Sequence, residues 1–317
     1  MGSENQHLIL DRRMALLVDQ SARVEALVED HAAFFEGPVW IQTQSGGHLV
    51  FTDIAGDRIL KWEVRAGVTV VAHTFFSSSP ASRVRELDLG FRRVRLIGPD
   101  GLAVDREGRI LYCGYGSRDV GRLEADGSRT VLAESFGGKR LNTPNDIIVN
   151  KAGTIYFTDS AADRDSQAND PYPGVPTSAV YRIVGNTVEM LHDDFDAANG
   201  LAFTPDERFL YVNDTRRKLI WRYETTATGA LGKRDLFTDM NSDTSPGVPD
   251  GMKVDRRGYV YCTGPQGLWI MAPDGKHLGT IRTSERLTNI AFGGTDQVSL
   301  YMTGPSYLWR IPLLWEI

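Results

Sequence analysis

Five oxygen-bearing side chains recur at matched places in this sequence: Glu36, Asp100, Asn145, Asn199 and Asp250. Each stands at the same turn of a repeated frame, in EGPVW, GPDGLAV, TPNDIIV, AANGLAF and VPDGMKV. Carboxylates and amides gathered in one place repel or go unsatisfied unless a cation sits among them. A hard cation with oxygen ligands meets that need. Asn and Asp also cap turns, so turn-making is the competing role. Yet the frame stays fixed while the side chain varies, and turn-making alone does not call for a Glu. Other reactive constellations are missing from the sequence. Its six histidines (His7, His31, His48, His73, His192 and His277) show no zinc-like spacing such as HExxH. There is no G-x-S-x-G elbow. GSRDVG from Gly116 lies between strand patterns rather than ahead of a helix, unlike a phosphate-binding loop.

The frame that must position these residues is a polar turn, a short apolar run, a second turn and another apolar run. It is clearest from Gly98, Thr143, Ala197 and Val248, and weaker from Glu36 and Thr288. Aligned at Glu36, Asp100, Asn145, Asn199, Asp250 and Asn289, the copies are 64, 45, 54, 51 and 39 residues apart. Periods of roughly 40–50 residues with several strands per unit indicate propeller blades. Strands follow from alternation in runs such as IYFT and LYV, and turns from Glu107-Gly108, Ala152-Gly153, Pro205-Asp206 and Arg257-Gly258. A further strand closes many units, as in RILKWEV and LIWRYETT. The fold expected is therefore all-β: one six-bladed β-propeller domain over residues 1–317, in which equivalent turns face a shared axis. Met14–Val28 can be read as helix or strand, and the alternation at Val24, Ala26 and Val28 favours strand. Segments 74–96 and 161–177 fall outside the repeat and are expected to be long loops over the site. Trp40, Trp62, Trp221, Trp269 and Trp309 recur at blade-like intervals and suit inter-blade contacts.

A formal charge of −6 without a Lys/Arg cluster argues against a nucleic-acid partner. No apolar run approaches the roughly 18 residues of a membrane span. Met1–Asp11 lacks the pattern of a secretory signal, so a cytoplasmic location is expected. Cys113 and Cys262 each sit in an apolar run and read as small core residues rather than a disulfide or metal pair.

Along essentially its whole length the chain resembles the SMP-30/gluconolactonase/luciferin-regenerating-enzyme group of six-bladed propellers. The likeness rests on FFEGPVW at Phe34–Trp40, KRLNTPNDIIV at Lys139–Val149, AANGLAFTPDERFLYV at Ala197–Val212 and VPDGMKVD at Val248–Asp255. The resemblance implies one divalent metal in the central channel, held by Glu36, Asn145, Asn199 and Asp250, with Asp250 also moving a proton. Calcium is favoured by all-oxygen ligation, with zinc, magnesium or manganese as alternatives. The implied reaction is hydrolysis of a small-molecule lactone, its carbonyl polarised by the metal and attacked by an activated water. A phosphotriesterase-like hydrolase on the same site and a non-catalytic binding propeller are the alternatives. The chain departs from the group's common His at Tyr115 and common Asn at Asp100. Tyr115, Arg118, Arg140 and Asp100 are candidate substrate contacts. Metal ligation normally lowers a carboxylate pKa, so the ligand and base roles of Asp250 compete.

Overall fold

The computed structural model describes residues 6–44, 46–64, 66–75, 82–161, 174–294 and 299–314. Among the described residues six antiparallel sheets of four or five strands follow one another along the chain, beside two small two-stranded ones. Blade I is Phe35–Thr43, Gly46–Asp53, Arg58–Glu63 and Gly67–His73; blade II is Pro99–Val104, Ile110–Gly114, Asp119–Leu123 and Arg129–Ala133. Blade III is Thr143–Val149, Ile155–Ser160, Ser178–Val184 and Thr187–Phe195; blade IV is Ala198–Phe203, Phe209–Asp214, Leu219–Thr225 and Leu231–Asp239. Blade V is Met252–Val254, Val260–Gly264, Gly267–Met271 and His277–Ile281, and His7–Ile9 adds a fifth strand outside it. Blade VI is Asn289–Gly293, Ser299–Thr303 and Tyr307–Pro312, completed by Glu25–Glu29 pairing with Tyr307–Pro312. The expected six-bladed propeller is therefore what forms, with N-terminal strands finishing its last two blades.

Why the middle strands read as continuous apolar runs follows from their two-sided burial. Successive side chains of a strand face opposite ways. In blade II, Ile110 and Tyr112 meet Val50 and Ile59 of blade I, while Leu111 and Cys113 meet Ile147 and Phe157 of blade III. Blade IV repeats the scheme: Leu210 and Val212 join a cluster with Tyr156 and Val180 of blade III, and Tyr211 joins Met252 and Val260 of blade V. Further clusters join blade V to VI and blade VI to I. Each fully buried Leu, Val or Phe contributes about 1.5–3 kcal/mol relative to exposure, so the inter-blade clusters carry the ring. Trp40 of blade I stacks on Tyr301 of blade VI, centroids 5.5 Å apart. Both cysteines are free and fully buried within these clusters.

Two expectations need adjustment. Met14–Val28 is neither one helix nor one strand. Arg12–Leu16 is a short 3-10 helix opened by Asp11, whose side chain accepts from Arg13 N, and Met14 and Leu17 fill the blade V–VI cluster. The strand that alternation suggested begins at Glu25. Segment 74–96, expected as a loop, carries a hairpin of Arg85–Asp88 with Arg93–Leu96. Val94 and Leu96 pack with Phe34, Ile54 and Tyr115, which fixes the hairpin against blades I and II. Residues 76–81 of that segment, and 162–173 of the other expected loop, lie outside the described residues. Among the described residues no helix is long and apolar enough to cross a membrane.

Candidate active site

The inner strands break register where the site begins. In blades I, III and IV the pairing shifts between Glu36 and Val39, Pro144 and Ile147, and Ala198 and Leu201, and in blade II opposite Tyr112–Gly114. An extra residue of this kind bends a strand and re-aims a side chain, as bulges beside active sites commonly do. Asn145 and Asn199 lie inside these shifts, Glu36 is the last paired residue before its own, and Asp100 lies in the blade II counterpart. Gly37 follows Glu36 at φ +50°, and a Cβ there would overlap the Asp100 carbonyl oxygen. Only glycine lets the inner strands of blades I and II come this close.

Neighbours in the ring hold several of these positions. Asn289 Nδ2 of blade VI donates to Glu36 Oε2 at 2.9 Å, and Thr288 Oγ1 donates to the Phe35 carbonyl at 2.7 Å. Thr52 Oγ1 of blade I donates to the Asp100 carbonyl at 2.9 Å. Asn213 Nδ2 and Thr215 Oγ1 of blade IV donate to the carbonyls of Asp250 and Pro249, at 2.6 and 2.8 Å. A buried aspartate at the end of the second strand anchors the chain just before the bulge. Asp53 accepts from Phe34 N, Asp159 from Asn142 N, and Asp214 from Asp196 N and Ala197 N, at 2.8–3.2 Å. The recurring FTD, FTD and VND that supply these aspartates were a readable signal that motif reasoning passed over.

These elements surround a cavity of about 140 Å³. Glu36, Asp100, Asn145, Asn199 and Asp250 all line it, as does Tyr115. Phe34, Ile54, Leu87, Leu96 and Val248 supply apolar wall, and Arg85, Thr215 and Arg286 complete the lining. Sequence reasoning had not singled out Arg85 or Arg286. Arg118 and Arg140 are not among the lining residues. Arg118 is fully buried with Nε donating to the Leu141 carbonyl at 2.8 Å. Arg140 pairs with Glu134 and donates to the Ser117 carbonyl at 3.0 Å.

The electrostatics are dominated by crowded, buried acid. Burial first, and then the Asp250 carboxylate, hold Glu36 well above the usual carboxylate range. Burial, then Glu36 and Asp250, do the same to Asp100. Burial pushes Asp250 up to about 7, against the pull of Arg286 and a hydrogen bond from Asn199. Three carboxylates facing one small cavity are stable as anions only with a cation among them. The amides suit that arrangement. Asn145 Nδ2 donates to Asp100 at 2.9 Å and Asn199 donates to Asp250, so each amide's lone pairs remain on its carbonyl oxygen. The donor set holds no sulfur and no imidazole, which fits a hard divalent ion. Among the described residues no three His, Cys, Asp or Glu form a metal cluster by themselves, so a site here needs the amides.

A family model described as the SMP-30/Gluconolactonase/LRE-like region matches residues 34–305. A gluconolactonase from Zymomonas mobilis subsp. mobilis is 29% identical over 295 residues, covering 90% of this chain and 80% of that protein. The pentonolactonase XacC of Haloferax volcanii is 27% identical over 288 residues, with 88% and 84% covered. Among solved structures, a gluconolactonase from Xanthomonas campestris superposes with a TM-score of 0.80 at 31% identity, covering 98% of this chain and 96% of that one.

Proposed function

The chain belongs to the SMP-30/gluconolactonase/LRE-like family, and we propose on that footing that it hydrolyses a lactone with the help of one divalent cation held in the central cavity. The observation that carries this reading is the lining itself: Glu36, Asn145, Asn199 and Asp250, from four different blades, share one cavity of about 140 Å³. Glu36 and Asp250 would supply carboxylate oxygens to the ion and Asn145 and Asn199 amide oxygens, with calcium favoured by this donor set. When bound, the cation supplies Lewis-acid polarisation of the lactone carbonyl and stabilises negative charge on its oxygen.

The chain's own residues account for the remainder. Asp250 receives the proton of the attacking water on a carboxylate oxygen and returns it to the departing ring oxygen. The neighbouring Arg286 charge and the Asn199 hydrogen bond favour its anion, keeping it able to accept. Asn289 and the Gly37 amide, both bonded to Glu36, fix that carboxylate while the neighbouring acid shifts its proton. Phe34, Ile54, Leu96 and Val248 exclude bulk water from one side of the cavity, which strengthens each polar contact inside. Tyr115 and Asp100 line the same space, which supports a role for them in meeting ring hydroxyls.

The test is hydrolysis of a panel of sugar lactones, followed by acid release, in protein stripped with a chelator and reloaded with calcium, zinc, magnesium or manganese. Turnover that disappears on stripping and returns with one of these ions is expected. Full activity in the stripped protein rejects the reading. Faster cleavage of an organophosphate triester than of any lactone would transfer the same residues to phosphotriester chemistry.

A further inference from the structure

One wall of the cavity comes from an element that supplies neither a cation ligand nor a reacting group. The hairpin of Arg85–Asp88 and Arg93–Leu96 pairs Arg85 with Leu96 and Leu87 with Val94, and directly paired residues share a face of the ribbon. That face turns inward: Arg85, Leu87 and Leu96 line the cavity, and Val94 is buried against Phe34, Ile54 and Tyr115. The opposite face, Glu86, Asp88, Arg93 and Arg95, is exposed, with Arg93 paired to Asp88 at 3.4 Å. Of the inward apolar side chains, Val94 and Leu96 are buried and Leu87 is half-buried, so Leu87 stands nearest the rim.

A two-stranded hairpin is marginal by itself, so this one depends on its anchors. At its base Arg83 N donates to the Gly116 carbonyl at 2.8 Å, and Ile97 N and Gly98 N donate to the Ile54 carbonyl at 3.2 and 2.8 Å. At its far end the chain turns through Leu89–Arg92, closed by Leu89 N donating to the Arg92 carbonyl at 2.8 Å. There the Arg92 guanidinium donates to the Ala33 carbonyl, just ahead of blade I, and to the Pro305 carbonyl of blade VI at 3.1 Å. One charged side chain thus ties the tip across the seam where the ring closes, and charged donors make the stronger hydrogen bonds. The space behind this wall, about 140 Å³, is less than half of the roughly 300 Å³ at which ligand pockets ordinarily begin. It has room for a single ring.

We propose that the hairpin limits the protein to lactones of one ring: Leu87 is the specificity-determining residue that meets a second ring or a long chain, and Arg92 is the positioning residue that keeps Leu87 in place. The inference rests on the lactone-hydrolase reading. Glu36, Asn145, Asn199 and Asp250 all lie outside the hairpin, so loosening it changes which substrates enter and leaves the reacting groups where they are.

The test compares D-glucono-1,5-lactone with cellobiono-1,5-lactone, which differs only by a glucosyl unit on the ring's O4. In the parent, kcat/KM for the two-ring lactone is expected to be about a hundredfold lower. Leu87→Ala and Arg92→Ala should each narrow that gap about tenfold. In Arg92→Ala the KM for the one-ring lactone should rise several-fold with kcat within about twofold of the parent, and Arg92→Lys should restore most of the gap. A second arm needs no hydrolysis. Cys113 and Cys262 are fully buried, so Val248→Cys places one reactive thiol in the cavity. Its rates with iodoacetamide and with the much larger N-(1-pyrenyl)maleimide, each relative to glutathione, are followed by mass spectrometry. The large reagent should be strongly disfavoured, and adding Leu87→Ala or Arg92→Ala should relieve most of that. Equal cleavage of the two lactones, equal labelling by the two reagents, or a gap in either arm untouched by both variants overturns the inference and leaves lactone hydrolysis standing. If neither lactone is cleaved, the hydrolase reading fails, and the thiol arm still decides whether the hairpin sizes the cavity.

Discussion

Asp214 is the residue whose replacement tests most directly how this fold aims its site. Its side chain is fully buried. Its oxygens accept from Asp196 N at 2.8 Å, Ala197 N at 3.2 Å and Arg217 N at 3.1 Å, and the Arg217 guanidinium stands 3.6 Å away. The first two donors lie three and two residues before Asn199. Hydrogen bonds to a charged acceptor contribute about 1.5–3 kcal/mol each, and a buried donor left unsatisfied costs about 1–3 kcal/mol. Bonds that share one carboxylate are not additive, so Asp214→Ala is expected to lose about 3–5 kcal/mol. Asp214→Asn keeps one oxygen acceptor and should lose about half of that. At roughly 2 °C per kcal/mol for a chain somewhat larger than 250 residues, the Ala variant should melt about 6–10 °C lower. A shift of the blade IV bulge by about 1 Å would misplace Asn199 enough to cost on the order of a hundredfold in turnover. Differential scanning calorimetry gives the stability, and lactone hydrolysis at 20 °C, where both variants remain folded, gives the site. An Ala variant that melts within about 2 °C of the parent refutes the reasoning. So does one that is destabilised as expected but turns over lactone normally, because the aspartate would then hold the blade without aiming the amide.

Three further outcomes can be checked. Saturating calcium at about one hundred times its dissociation constant should stabilise the protein by about 2.7 kcal/mol, a rise in Tm of about 5 °C. That rise should vanish in Asn199→Ala with far-ultraviolet circular dichroism unchanged, and an undiminished rise removes Asn199 from the ligand set. His277 stacks on Trp269 at 3.6 Å between centroids, and burial lowers its pKa to about 4. A folded-state pKa below the unfolded one means that acid favours unfolding, so this contribution is intact above pH 6.5 and is lost between 6.5 and 4. The full shift corresponds to about 3 kcal/mol, and solvent around a partly buried ring reduces it to about 2. His277→Phe should flatten that part of the Tm–pH curve, and an unchanged slope assigns the acid sensitivity elsewhere. Gly37→Ala places a Cβ on the Asp100 carbonyl oxygen at positive φ and should lower stability by more than about 3 kcal/mol. A variant of normal Tm would mean that blades I and II separate without penalty.

Much of this arrangement was legible because two signals ran in phase. Runs such as ILYC and YVYC show two-sided burial, and the turn ahead of each inner strand repeats closely enough to align Glu36, Asp100, Asn145, Asn199 and Asp250. What escaped the sequence did so for physical reasons. A bulge adds one residue to a strand without changing its composition, so the re-aiming of Asn145 and Asn199 left no mark. The hairpin at Arg85–Asp88 and Arg93–Leu96 has only four residues per strand, too few for its alternation to stand out. Arg286 lies in the irregular TSERL turn, where no repeat frame flags it. Arg118 lies in GSRDVG and Arg140 shortly before TPNDIIV in the sequence. Their guanidiniums reach backbone carbonyls between blades II and III, a placement that depends on tertiary neighbours rather than on sequence distance.

The way the ring is finished has a consequence for how the protein is made. Tyr307–Pro312 finds its outer partner in Glu25–Glu29, and His277–Ile281 finds its own in His7–Ile9. While the chain emerges from the ribosome, the opening segment must wait for almost everything downstream before it can zip in. Until then two raw strand margins invite pairing with a second molecule. The seam also passes beside the chemistry, since Asn289 on one side of it holds Glu36 on the other. Shortening the leader by thirty residues should therefore produce clumping, and in whatever remains soluble, a loosened grip on Glu36.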